Sequence, residues 1–181
     1  MFNKAEKKNK DNPGVIRPAT DADVAWIAQH MRQSDIDEQR ALGNLDPPWK
    51  FLRWSVELSS VVYAGTNPDD DHPCCIFGLG EFPAGYKDDD GWHNYWPVWL
   101  LATPRLECNR RLFIEYSSRF FRSGTSAENW GGRTLGNAVW KRNEASIRWL
   151  MYFGFEDKGT VFIPETGEKF IRLVRRPGGR K

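Results

Sequence analysis

Apolar positions along the chain alternate between helical and strand spacing. After a lysine-rich opening, Val15-Ile16-Arg17-Pro18 reads as a short strand. Val24, Ile27, Ala28 and Met31 then recur three and four residues apart, which predicts an amphipathic helix over 21–32. Thr20 with Asp23 three positions later forms the acid version of a capping box at its start. A second helix is predicted over 34–42. Gly43 to Pro48 breaks the pattern, and Trp49, Leu52 and Val56 restore it over 49–59.

Val61, Val62, Tyr63 and Ala64 form a strand run closed by Gly65 and the Asn67-Pro68-Asp69-Asp70-Asp71 turn, with 74–82 as its hairpin partner. Residues 83–91 read as a turn-rich loop. Tyr95-Trp96-Pro97-Val98-Trp99-Leu100-Leu101-Ala102-Thr103 is apolar almost without interruption, which predicts a central strand covered on both faces. Leu106, Phe113, Tyr116 and Phe120 mark a helix over 105–122, followed by a loop over 123–132 and a buried strand over 134–140. Ala145, Trp149, Leu150 and Phe153 predict a helix over 143–153, ended by Gly154 in a left-handed cap. Two strands, 155–163 and 169–175, complete the chain around the turn Pro164-Glu165-Thr166-Gly167.

With 181 residues, 40% of them hydrophobic and 9 of them tryptophan, the chain has enough apolar surface for one well-filled domain. The expected organisation is a basic disordered tail over 1–13, one domain over 14–175 and a basic tail over 176–181. The formal charge of +2 belongs to the ends, where Lys4, Lys7, Lys8 and Lys10 and then Arg172, Arg175, Arg176, Arg180 and Lys181 cluster. The body between them is acidic, which argues against a nucleic-acid-binding face, although the tails could make weak contacts with DNA or phosphate. No window has the length of a membrane span, and the opening lacks the apolar core of a secretion signal, so a cytoplasmic setting is expected. Cys74, Cys75 and Cys108 have no metal-ligand spacing, and the Asp69-Asp70-Asp71 and Asp88-Asp89-Asp90 runs read as solvated turns. No metal site is expected.

The element order, the opening Val15-Ile16-Arg17-Pro18-Ala19-Thr20-Asp21-Ala22-Asp23 and the helix Asn143-Glu144-Ala145-Ser146-Ile147-Arg148-Trp149-Leu150-Met151-Tyr152-Phe153-Gly154-Phe155 together resemble the GNAT acetyltransferases. The resemblance implies an α+β fold in α/β/α layers, with a mixed, mostly antiparallel central sheet, splayed central strands and flanking helices. It further implies that an acetyl-CoA cofactor, if the protein is active, would lie with its pantetheine arm against Leu100, Leu101 and Ala102. Its pyrophosphate would meet Arg105, Arg110 and Arg111 at the following helix start, with Asn143 and Ser146 at the start of the later helix. Glu81 is the candidate general base and Tyr152 a second catalytic candidate.

Two features depart from the active pattern. The segment Thr103-Pro104-Arg105-Leu106-Glu107-Cys108-Asn109-Arg110-Arg111 has none of the glycines usual in the phosphate loop, and Leu150 stands where a proton-donating tyrosine is common. Together with Asp35-Ile36-Asp37-Glu38-Gln39-Arg40-Ala41-Leu42-Gly43 and Ile114-Glu115-Tyr116, this degenerate loop resembles the GNAT-like small internal virion proteins of podophages. That likeness implies a phage virion or assembly role, contacts with other phage structural proteins, and a location in the virion and host cytoplasm. The alternative is an acetyl-CoA-dependent N-acetyltransferase acting on a protein or small amine. Trp99 and Trp140 discriminate: at least one is expected to point into the cleft between the splayed strands, and a tryptophan-free channel would favour the enzyme.

Overall fold

The computed structural model describes residues 15–67, 72–108, 110–122 and 132–177. In chain order the elements are β1 (Ile16–Pro18), α1 (Asp21–His30), α2 (Gln33–Ala41), α3 (Pro48–Glu57), β2 (Ser59–Thr66), β3 (Pro73–Gly80), β4 (Ala84–Asp88) and β5 (Gly91–Ala102). They continue with α4 (Arg105–Cys108), α5 (Arg110–Arg122), β6 (Leu135–Trp140), α6 (Glu144–Tyr152), β7 (Glu156–Ile163) and β8 (Glu168–Arg175). The predicted elements are present, most with ends moved by a residue or two; the central strand starts four residues earlier than expected, and the helix expected over 105–122 is α4 and α5. The tail over 1–13, most of the second tail and the loop over 123–131 lie outside the described residues.

One 8-stranded sheet runs β1-β2-β3-β5-β6-β8-β7, with β4 paired to the first half of β5. Its ladders are antiparallel except for β5 with β6. Strand alternation sends Ile76 and Leu101 to one face, where they pack with Ile27 of α1, Met31 just after it, and Phe51 and Leu52 of α3. Leu79 and Val98 face the other way, onto Phe121 of α5, Leu150 of α6 and the neighbouring Phe153. The sheet is therefore the middle of three layers, as the α+β reading requires.

The second layer of helices is tied by aromatic side chains. Trp149 stacks on Phe113 at 5.1 Å and meets Phe153 edge-on at 5.9 Å, while its indole N–H donates to Ser117 Oγ at 3.2 Å. Each such ring pair contributes about 0.5–1.5 kcal/mol beyond its buried area. At the end of α6, Gly154 adopts φ 82°, the left-handed cap that its missing Cβ permits.

One expectation needs correction. Residues 83–91 are mostly strand, because β4 forms a hairpin with β5 in which Asp88 pairs Gly91 and Tyr86 pairs His93. Glycine and aspartate suggested a loop, but Tyr86 alternates into the core between exposed Gly85 and Lys87 and packs beside Tyr95. The central strand accordingly begins at Gly91.

Candidate functional site

The feature that makes a site is the fork between β5 and β6. Their parallel ladder has only two rows, Trp96 with Leu135 and Pro97 with Gly136. From Val98 to Ala102, β5 pairs with β3 alone, so its other edge has no strand partner among the described residues. At the base of the fork the Trp96 amide donates to Thr134 O at 2.7 Å, and the Arg133 guanidinium lies 3.8 Å from the centre of the Trp96 ring.

A cavity of about 590 Å³ opens from this fork. Val98, Leu100 and Leu101 of β5, Asn137, Ala138 and Val139 of β6, and Ser146, Leu150 and Tyr152 of α6 contribute to its walls. Trp99 and Trp149 also line it, so the channel is not free of tryptophan. Of the two tryptophans expected at the cleft, Trp99 is the one in its wall, as that expectation required, and its indole N–H donates to Ser59 Oγ at 2.8 Å. Trp140 is not in the cavity wall; its indole N–H donates to Glu168 Oε2 at 2.9 Å.

Helix α2 bridges the open ends of the two strands. Its inward side carries two carboxylates, Asp35 and Glu38, one turn apart, beside the apolar Ile36 and Ala41. Asp35 Oδ2 accepts the Ala102 amide at 2.7 Å, and Oδ1 accepts Arg32 Nε at 2.8 Å. The Arg32 amide returns a bond to Ala102 O at 2.8 Å. Glu38 makes the matching contacts on β6: Oε1 accepts the Trp140 amide at 2.8 Å and Oε2 accepts Asn143 Nδ2 at 2.6 Å. Burial pushes both carboxyls above their ordinary pKa values; the Arg32 guanidinium and the Ala102 amide oppose this at Asp35, the Trp140 and Asn143 donors at Glu38.

The residues expected at the site fall into three groups. Leu100, Leu101, Ser146 and Tyr152 are brought together around the cavity. Asn143 caps α6 through Oδ1, which accepts the Ser146 amide at 3.3 Å, while its other amide atom is held by Glu38. Ala102 stands at the fork, but both its backbone groups are bonded to α2.

The remaining candidates lie apart. Glu81 is exposed beyond the end of β3 and is not part of the cavity wall. Arg105 and Arg111 are exposed on α4 and α5, and the side chain of Arg110 lies outside the described residues. At the start of α4 the Leu106 and Glu107 amides already donate to Thr103 O and Pro104 O, at 3.1 and 3.2 Å. Those two N–H groups are not presented to an anion. Glu107 instead stands 3.9 Å from Arg32 Nη1. No cluster of metal-ligating side chains occurs among the described residues.

Asp35 and Glu38 were not anticipated as site residues. The signal available for them was a helix whose inward side carries acids, where α1 and α3 carry Ile27, Phe51 and Leu52.

No family model and no curated protein matches this chain. Solved structures do. A GNAT-family acetyltransferase from Bacillus anthracis is similar at 11% identity and TM-score 0.62, over 98% of this chain and 99% of that one. AAC(6')-Ib in complex with ribostamycin and coenzyme A is similar at 15% identity and TM-score 0.61, over 90% and 93%. The yncA protein of Salmonella typhimurium with its cofactor acetyl-CoA is similar at 17% identity and TM-score 0.59, over 93% and 96%. Likeness over almost the whole of both chains decides the architecture. This chain has the GNAT fold. The β5–β6 fork is the splay that the fold resemblance implied. Two of these neighbours hold acetyl-CoA or coenzyme A.

Proposed function

We propose that the protein is an acetyl-CoA-dependent N-acetyltransferase whose acceptor is an amine. The observation that carries this reading is the open fork itself: a strand edge with no strand partner among the described residues, beside a largely apolar cavity of about 590 Å³. A cofactor arm that alternates amides with methylenes is complementary to such a place, because its amides can satisfy strand N–H and C=O groups while its apolar links rest on Val98, Leu100 and Val139. The backbone edge at Val98 and Leu100 fits that role. Ala102 does not, since α2 has taken its donor and acceptor.

Acetyl-CoA would supply an acetyl thioester, the acetyl group passing to the amine nitrogen and the sulfur leaving as the thiol. The chain's part is to hold and orient the two reactants and to accept a proton from the acceptor. The absence of loop glycines and the bonded amides of α4 mean that the phosphate end would depend on side chains, of which Arg105 and Arg111 stand at that end of the fold.

An amine acceptor agrees with the neighbours, one of which is bound to ribostamycin. A virion setting has only the sequence resemblance behind it. Transfer of labelled acetyl from acetyl-CoA to a panel of primary amines, including a lysine peptide and a polyamine, tests the reading. Acceptor-dependent thiol release supports it, and release that never exceeds the protein-free rate sinks it.

A further inference from the structure

Glu38 is a carboxylate in the wall of the fork cavity with neutral donors on both oxygens and no ion-pair partner among the described residues. Its neighbour Asp35 differs, since Arg32 Nε is bonded to it at 2.8 Å. The charged groups acting on Glu38 are Asp35 of its own helix and Arg32 at that helix's N-cap, and Glu107 of α4 approaches the same arginine at 3.9 Å. From β6 and the turn into α6 come the Trp140 amide and the Asn143 side-chain amide, both uncharged. On the far side of Trp140, Arg142 pairs with Glu168 at 3.0 Å.

A carboxylate oxygen that accepts one N–H still has a lone-pair site available. A carboxylate withdrawn from water without a cation is costly, and an incoming ammonium would supply the missing charge. The two donors also fix its orientation, so it does not need to be ordered when the amine arrives.

Resting on the acetyltransferase reading above, we infer that Glu38, and not Glu81, is the residue that binds the acceptor ammonium and removes its proton. The step is a simple exchange: one N–H bond of the ammonium breaks, an O–H bond forms on Glu38, and the nitrogen keeps the electron pair. Glu38 later returns the proton to water. Desolvation, which favours the protonated carboxyl, brings its proton affinity nearer to that of a useful base at neutral pH. Glu81, exposed and away from the cavity wall, has neither the geometry nor the surroundings.

The test compares ethylamine, an ammonium at neutral pH, with trifluoroethylamine, which is largely neutral there. Glu38→Gln should lower ethylamine turnover on the order of 100-fold. It should change trifluoroethylamine turnover by less than about threefold, because a neutral amine needs neither ammonium binding nor removal of an ammonium proton before it attacks. Since Gln turns an N–H2 toward one of the two donors, a readout on the unmutated protein accompanies it: carbon-13 NMR of labelled Glu side chains. There Glu38 should titrate above the ordinary glutamate range, and added ethylamine should move that midpoint down.

Equal losses with both amines would make Glu38 a positioning residue and overturn the inference. Unchanged ethylamine turnover in Glu38→Gln, or a midpoint insensitive to ethylamine, would overturn it as well, while leaving acetyl-CoA binding and transfer intact. Failure of the unmutated protein to bind acetyl-CoA would instead remove the acetyltransferase reading, and this inference with it.

Discussion

The Asp35 carboxylate holds the end of β5 through the Ala102 amide, at 2.7 Å, from a helix distant in sequence. Ala102 has no strand partner on that edge among the described residues, and the side chain takes the place of a ladder bond. The same carboxylate balances Arg32, which is itself mostly covered. Asp35→Ala would strand a buried cation and a buried N–H together. It is expected to cost about 3–5 kcal/mol of unfolding free energy, read by urea denaturation at neutral pH. A loss under about 1 kcal/mol would show that α2 does not fasten the fork.

The acid limb of the stability profile should depend on Asp23. Arg17 and the Thr20 backbone and hydroxyl donors hold its pKa at about 2, against an ordinary 3.8. A depressed carboxyl binds its proton first in the unfolded chain, so its contribution is complete above the ordinary value and lost as pH falls toward the folded one. Arg17 is partly exposed, which reduces the contribution to about 1–2 kcal/mol. Asp35 and Glu38 work in the opposite sense: their raised values let the folded state bind protons first, so their contribution declines as pH rises from the ordinary carboxylate range. Asp23→Asn should be less stable at neutral pH and should flatten the fall between pH 3.8 and about 2. An unchanged acid limb would contradict this assignment.

The Thr20–Asp23 cap was legible because it is local: a side chain reaches an amide three residues away, and both halves of the box are formed. The continuous apolar run through Leu100 was legible for a similar reason, since a strand covered on both faces needs no polar side. The fork was legible only through the family resemblance, because nothing in the residues from Val98 to Ala102 says which edge lacks a partner. The pairing of Asp35 with Ala102, and of Glu38 with Asn143, joins residues far apart in sequence and depends on where α2 lands. Local spacing carries no such information. The β4 hairpin was missed because turn-forming residues, Gly85 and Asp88 among them, occupy positions whose cross-strand partners make them strand.

Close packing under Trp99 gives a sharp test of the sheet. A Cβ at Gly78 would stand 2.8 Å from Trp99 Cζ2 and 2.8 Å from Val61 O, so backbone as well as indole would have to move. Gly78→Ala should destabilise by about 1–3 kcal/mol. Gly80→Ala, whose Cβ would lie 3.3 Å from Pro97 Cδ, should cost less. Thermal unfolding of the two variants checks the order, and the reverse ranking would contradict the packing described at Gly78.

Bulk placed in the fork should separate binding from folding. Ala138 is a half-buried wall residue on β6. Ala138→Phe is expected to weaken acetyl-CoA binding at least tenfold, about 1.4 kcal/mol, while leaving the unliganded melting temperature within a few degrees of the parent. Unaltered affinity measured by calorimetry would place the cofactor somewhere other than the β5–β6 cleft.

The account turns on whether the fork takes acetyl-CoA. Titration of the purified protein, followed by calorimetry and by thermal unfolding, addresses it directly. Saturation to 100 times the dissociation constant should stabilise the fold by about 2.7 kcal/mol and raise the melting temperature by about 5–10 °C. No heat of binding and no shift at millimolar acetyl-CoA would contradict the acetyltransferase reading and leave a GNAT fold put to some other use.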